Sequence, residues 1–127
     1  MRASGSIRLE TLPARKDFLA AARARKAVSP GLVLQMRARG GEDAERPARV
    51  GYTASKKVGN AVIRNRARRR LRAVVNDVLA PRALKGCDYV VIARAATAQR
   101  PYDALLADLA SALDRIERSE RGGKAGR

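Results

Sequence analysis

One segment of the chain is both strongly basic and regularly apolar, and this combination limits how the chain can fold. Residues 56–72 carry eight basic side chains and no acid. Apolar residues recur through and beyond this run at the spacing of one helix face: Ile63, Ala67, Leu71, Val74, Val75 and Val78. The pattern predicts a helix over residues 60–79 that packs inward through this stripe. Asn65, Arg68, Arg69 and Arg72 then point outward, with Arg64, Arg66 and Arg70 at the boundary.

The flanking sequence predicts short strands and further helices around that helix. The expected elements are a helix over 15–25, strands over 31–39 and 49–54 joined as a hairpin, a buried strand over 88–94, and a last helix from Pro101. The segments 49–54, 60–79 and 88–94 form a βαβ unit, whose crossover the general rule makes right-handed. We therefore predict an α/β (α+β) two-layer sandwich, with a small mixed sheet of about four strands packed by helices.

The length of 127 residues favours a single domain. We assign residues 13–117 to it, residues 1–12 to a flexible basic arm, and the Gly-rich residues 118–127 to a disordered basic tail. The first residues lack the apolar core of a signal peptide, and no apolar run approaches the length of a membrane span. The sequence therefore predicts a cytoplasmic protein without a membrane anchor.

The composition indicates a polyanionic partner and excludes several kinds of active site. Lys and Arg number 28 against 12 Asp and Glu, a net charge of +16. An excess of this size favours nucleic acid. The chain has no His and one Cys, Cys87, so His/Cys zinc sites and Ser/His or Cys/His nucleophiles are impossible. The carboxylates, such as Asp77 and Asp88, are scattered, so we predict neither catalytic side chains nor a protein-bound metal.

The basic run itself favours RNA. Arginine binds phosphate bidentately and stacks on bases. Nothing in the sequence spaces a recognition helix for the major groove of DNA. A solvated basic face is the simpler alternative, but Arg68, Arg69 and Arg70 are adjacent and no acid offsets them before Asp77. Like charges so placed destabilise a helix, which favours a binding role.

The strand–helix junction before the basic helix also has binding chemistry. Thr53, Ser55, Lys56 and Lys57 leave the end of a strand, and Asn60 is placed to cap the helix. At this junction hydroxyl, ammonium and helix N–H groups come together. Such groups can bind a phosphate.

These residues also form a long, specific motif. The sequence SKKVGNAV over 55–62, RNR over 64–66, RR over 68–69 and LR over 71–72 resembles the signature of the bacterial ribonuclease P protein subunit. The flanks agree: Asp17-Phe18, then RVGY from Arg49, then DYVVIAR from Asp88. The resemblance covers roughly residues 8 to 117.

The resemblance implies a small partner of a catalytic RNA that removes the 5′ leader from precursor tRNA. In that family the RNA and its Mg²⁺ perform the phosphodiester hydrolysis, and the protein assists binding of substrate and metal. No obligate protein partner is expected. It also implies a left-handed βαβ crossover in place of the right-handed default. Two alternatives are a ribosomal-type structural RNA-binding protein, in which Phe18 would be fully buried, and an autonomous nuclease.

The resemblance also implies two sets of binding residues. Those expected to bind the catalytic RNA are Lys56, Lys57, Asn60, Arg64, Asn65, Arg66, Arg68, Arg69 and Arg72. Those expected in a cleft for the single-stranded leader are Phe18, Ala22, Leu32, Leu34, Gln35 and Thr53. Family members often carry aromatics at the positions of Ala22 and near Gln35, so we expect aliphatic side chains such as Leu32 or Leu34 to contribute to leader contact here.

Overall fold

The computed structural model describes the backbone of residues 9–125 and the side chains of residues 9–118. These residues form a mixed α+β fold with a five-stranded sheet in the order β1-β4-β5-β3-β2. The elements are β1 Glu10–Thr11, α1 Arg15–Ala22, β2 Arg25–Val28, β3 Leu32–Ala38, β4 Arg49–Thr53, α2 Ala61–Val74 with a π-helical continuation Val75–Leu79, β5 Cys87–Ala93 and α3 Tyr102–Ala125. No helix among the described residues is long and apolar enough to cross a membrane.

The predicted βαβ unit is confirmed, but the predicted hairpin is wrong. β4 and β5 are parallel neighbours joined through α2. β3 does not pair with β4, because β5 lies between them and pairs antiparallel with β3 from Cys87 to Ala93. β5 is the strand whose residues are almost all buried, as the centre of a sheet covered on both faces requires.

Two strands of the sheet were not predicted. The first helix ends at Ala22 rather than near residue 25, and β2 follows it and pairs antiparallel with β3. The turn between them is closed by the Ser29 N–H, which donates to the Leu32 carbonyl at 2.8 Å. β1, inside the predicted flexible arm, pairs in parallel with β4. At the other end, the backbone of α3 continues past residue 118 to Ala125. Residues 1–8 and 126–127 of the predicted arm and tail lie outside the described residues.

The two faces of the sheet carry separate apolar clusters. α2 and α3 cover one face, where the predicted helix stripe meets alternate strand residues such as Leu34 and Tyr89. α1 covers part of the opposite face through a smaller cluster of Leu12, Ala21 and Val90, with Phe18 and Ile92 at its edge. The second face is therefore only partly covered.

A buried ion network lies under α1. The Asp88 carboxylate has no exposed surface and accepts hydrogen bonds from Arg39 and from Arg49, the latter through both oxygens at 2.8 Å. Asp17 lies 3.3 Å from Arg49 and 3.8 Å from Arg37. Burial works to raise the pKa of Asp88, but the hydrogen bonds from Arg49 and Arg39 outweigh it and hold that pKa below its usual value.

We predict that Asp88→Asn destabilises the fold by about 3–5 kcal/mol at neutral pH, because the buried Arg39 guanidinium loses its counter-charge and the partly buried Arg49 keeps only Asp17. The lowered pKa means that the carboxylate stabilises the fold above about pH 4 and loses this effect as the pH falls through its folded-state pKa. Urea unfolding from pH 7 to pH 2 should show the two proteins converging only in acid. Asp103→Asn, at an exposed acid, is the control, and a constant difference at every pH would contradict the prediction.

Candidate nucleic-acid interface

The entry to α2 is a tight, capped connection. The Asn60 side chain accepts a hydrogen bond from the Ile63 N–H at 2.9 Å, which confirms the predicted cap. Gly59 has a φ of 151°, and a Cβ at this position would lie 2.9 Å from Ile63, so glycine is required. The turn Lys56–Val58 before it is closed by the Ser55 hydroxyl, which accepts from the Lys57 N–H at 3.3 Å.

One face of α2 carries basic side chains that the described chain does not neutralise. Ala67, Leu71 and Val74 are fully buried, which turns the polar residues of the helix away from the core. None of the ion pairs among residues 9–118 involves an arginine of α2. We call this surface the basic ridge. The ridge comprises all nine residues predicted to bind the catalytic RNA, of which Arg64 and Arg68 are half-buried and the rest exposed: Lys56, Lys57, Asn60, Arg64, Asn65, Arg66, Arg68, Arg69 and Arg72.

Part of the ridge is held in place by neighbouring groups. Arg68 donates to the Asn65 side chain at 3.1 Å and lies 3.5 Å from the Ala54 carbonyl. The Arg72 guanidinium stacks over Tyr52 of β4, 5.3 Å from the ring centroid. Both contacts leave N–H groups of these arginines unused. The ridge is therefore preorganised on its β4 side and retains donors for an anion.

Arg70, which lies within the same arginine run, does not belong to the ridge. Its guanidinium is partly buried and donates to the backbone carbonyls of Thr97, Ala98 and Arg100, at 3.3 Å and 2.8 Å for the first two. The sequence places Arg70 at the boundary of the outward face but does not show that it turns toward another loop.

The predicted cleft lies on the sheet face that α1 partly covers. Phe18 of α1 is half-buried, and its ring lies over Gly51 of β4, where a Cβ would come within 2.5 Å of it. Thr53 and Gln35 lie on the same face, since they pair in register with Ile92 and Val90 of β5. Ala22 is exposed at the end of α1. The structure therefore places Phe18, Gln35 and Thr53 on one face of the sheet, where Phe18 and Thr53 are half-buried and Gln35 is buried.

The expectation for Leu32 and Leu34 is corrected. Both are fully buried in the cluster under α2 and α3, on the opposite face of the sheet. Successive side chains of a strand point to opposite faces, so the residues of β3 on the cleft side are Val33 and Gln35. Val33 supplies the aliphatic side chain that was assigned to its neighbours.

The open part of this face is a row of side chains that sequence reasoning largely missed. The register places Thr53, Ile92, Val33 and Val28 side by side on β4, β5, β3 and β2. We call this row the cleft floor. It crosses three strand gaps, about 14 Å. Ile92 and Val33 are half-buried and Val28 is 46% exposed, so the floor is apolar and accessible.

An exposed arginine lies where the cleft floor ends. Arg94 directly follows β5 and donates from Nη1 to the Ser29 carbonyl at 2.7 Å, next to Val28. The alternation of β3 and β5 was the signal that could have found the cleft floor. No sequence signal locates the contact between Arg94 and Ser29, because it joins residues 65 positions apart.

The acidic groups serve the fold elsewhere. Asp108 pairs with Arg100, and Arg82 pairs with Asp114 and Glu117. Among the described residues, no three His, Cys, Asp or Glu side chains group as metal ligands would.

Comparison with known proteins agrees with the motif. The family described as Ribonuclease P matches residues 8–117. The ribonuclease P protein component of Paramagnetospirillum magneticum is 53% identical over 111 residues, covering 86% of this chain and 84% of the relative. That of Ruegeria pomeroyi is 50% identical over 109 residues, covering 85% and 86%.

Solved structures support the same fold. The ribonuclease P protein of Staphylococcus aureus superposes with a TM-score of 0.65 at 21% identity, covering 84% of this chain and 94% of that one. The ribonuclease P protein of Thermotoga maritima gives 0.62 at 24% identity, covering 86% and 96%. With the family match over residues 8–117 and relatives at 50% and 53% identity, the chain belongs to the ribonuclease P protein family.

Proposed function

We propose that the chain binds the catalytic RNA of ribonuclease P through the basic ridge and the 5′ leader of precursor tRNA in the cleft beside Phe18. The observation that carries this proposal is the uncompensated charge of the ridge, whose arginines form no ion pair with the described carboxylates. A folded RNA would supply the missing negative charge. The cytoplasm, where precursor tRNA is processed, is the proposed site of action.

In this proposal the RNA performs the hydrolysis and the protein organises it. The chain has no His to act as a general base. Mg²⁺ would be held mainly by the RNA and would supply charge stabilisation at the scissile phosphate. The protein lowers the electrostatic repulsion between the catalytic RNA and the precursor tRNA. The ridge faces the catalytic RNA, and the cleft faces the substrate.

The cleft is suited to a single strand of variable sequence. Phe18 presents part of its ring beside the aliphatic cleft floor, and aromatic stacking tolerates any base. Thr53, which is half-buried, adds a hydrogen-bonding group on the same face. A ribosomal-type role would leave Phe18 fully buried and needs no such cleft. The partial exposure of Phe18 supports leader binding instead.

We predict that the protein stimulates 5′ cleavage of precursor tRNA by a ribonuclease P catalytic RNA at low Mg²⁺. The expected result is faster cleavage with RNA and protein together than with RNA alone, because the protein strengthens substrate binding. Product analysis on gels measures this. Cleavage by the protein without the RNA would contradict the proposal and support an autonomous nuclease.

We predict that Arg66→Ala and Arg69→Ala each weaken binding to the catalytic RNA and reduce its salt dependence. Both side chains are exposed and have no partner among residues 9–118, so stability should change by less than about 0.5 kcal/mol. Each lost phosphate contact should lower the slope of log K against log salt by about 0.7–0.9. Filter binding at several salt concentrations tests this, with the exposed Lys85→Ala as control. An unchanged slope would remove these residues from the interface.

We predict that Phe18→Ala weakens binding of leader-bearing precursor tRNA by about fivefold to a hundredfold, the equivalent of one lost base stack. Binding of mature tRNA should hardly change. The matched control is Leu19→Ala, the next residue of α1, whose side chain is 49% exposed. Affinities for both tRNAs and the melting temperature are measured together. Equal losses for the two tRNAs would show that Phe18 has only a structural role.

A further inference from the structure

We propose that Arg70 is a positioning residue that couples the basic ridge to the leader cleft by fixing the loop of residues 94–101. This inference rests on the proposed function, since it concerns how the two proposed binding surfaces are held relative to each other. Arg70 lies one residue from Arg69 of the ridge, but its hydrogen bonds run to this loop.

The contacts of Arg70 are those of a backbone clamp. One guanidinium group donates to three carbonyls of the loop, those of Thr97, Ala98 and Arg100. Each acceptor is a main-chain group, so the clamp fixes the path of the loop rather than one side chain. A guanidinium presents five N–H donors in a planar fork, which an ammonium group cannot reproduce. Arginine is therefore required for all three contacts together.

The clamped loop continues by hydrogen bonds to the end of the cleft. The Thr97 side chain is fully buried, accepts from the Arg94 N–H at 2.8 Å and donates to the Gly31 carbonyl at 2.6 Å. Arg94 in turn donates to the Ser29 carbonyl at 2.7 Å. Ser29 follows Val28 of the cleft floor. An unbroken series of contacts thus joins α2 to the point where the floor ends.

The position of Arg94 gives this series a consequence for substrate binding. Arg94 is exposed beside an apolar floor, so it is placed to contact a phosphate of a leader that crosses the floor. Its backbone N–H is fixed by Thr97, and Thr97 lies in the loop that Arg70 clamps. Loss of the clamp should free Arg94 and weaken leader binding, while the phosphate donors of the ridge stay in place.

The test is a double-mutant cycle in the holoenzyme with Arg70→Met and Arg94→Ala. The measured quantity is leader discrimination, the ratio of affinities for leader-bearing and leaderless tRNA. We expect each single variant to lower it by about three- to tenfold and the double variant to lower it no further, as coupled positions do. The salt slope for catalytic-RNA binding should stay at the wild-type value in Arg70→Met.

Arg69→Ala is the matched control, because it removes the neighbouring guanidinium from the ridge. It should lower the salt slope and leave leader discrimination intact, the opposite of Arg70→Met. Arg70→Lys keeps the positive charge but loses the planar set of guanidinium donors. It should therefore also lose leader discrimination, while its salt slope for catalytic-RNA binding stays at the wild-type value. If Arg70→Met fails to fold, Arg70→Lys takes its place in the cycle.

Each of the following results would overturn the coupling. A salt slope lowered in Arg70→Met as in Arg69→Ala would make Arg70 a phosphate ligand. Additive losses in the double variant would make Arg70 and Arg94 independent. If Arg70→Met lost affinity equally for both tRNAs and had a lower melting temperature, Arg70 would have only a structural role. If the wild-type holoenzyme bound leader-bearing and leaderless tRNA equally well, both the proposed leader cleft and the coupling would be rejected. If Arg70→Met kept the wild-type leader discrimination, only the coupling would be rejected.

Discussion

The packing of the α2 stripe against the sheet is the interaction on which the rest of the structure depends. Ala67, Leu71, Val74 and Val75 are fully buried, so the helix has one rotation about its axis. That rotation fixes which arginines face outward and which reach another part of the chain. The same burial stabilises β4 and β5 as parallel neighbours, and their opposite face carries the proposed leader cleft. One hydrophobic contact thus determines the direction of both proposed binding surfaces.

The placement of acids separates structural arginines from those that are available to a partner. Arg39 and Arg49 are buried or partly buried and pair with Asp88, which is necessary because an unpaired charge in the interior is costly. The arginines of α2 have no carboxylate partners among the described residues: Arg66, Arg69 and Arg72 are exposed to water, and Arg70 donates to backbone carbonyls instead. Identical side chains therefore differ in function through the carboxylates near them.

The sequence predicted well what regular periodicity controls. The stripe of α2 and the run of β5 located the βαβ unit, and the motif located the ridge. In β3 the alternation of side chains was not followed through to both faces. The alternation that buries Leu34 also turns Val33 toward the face of the proposed cleft. β2 escaped prediction because four residues, two of them basic, are too few to show a pattern. Its strand character comes from pairing with β3, which is a tertiary effect.

The harder cases are residues whose role depends on contacts between distant parts of the chain. Arg69 and Arg70 are adjacent and chemically identical, and a helical wheel separates them by only about 100°. What distinguishes them is the loop that follows β5, in which the carbonyls of Thr97, Ala98 and Arg100 accept hydrogen bonds from Arg70. Backbone carbonyls of a loop that have no partner in a helix or strand need another hydrogen-bond donor. Here Arg70 of the basic helix is that donor. An arginine-rich motif therefore combines two requirements, binding of an external polyanion and completion of the fold that presents it.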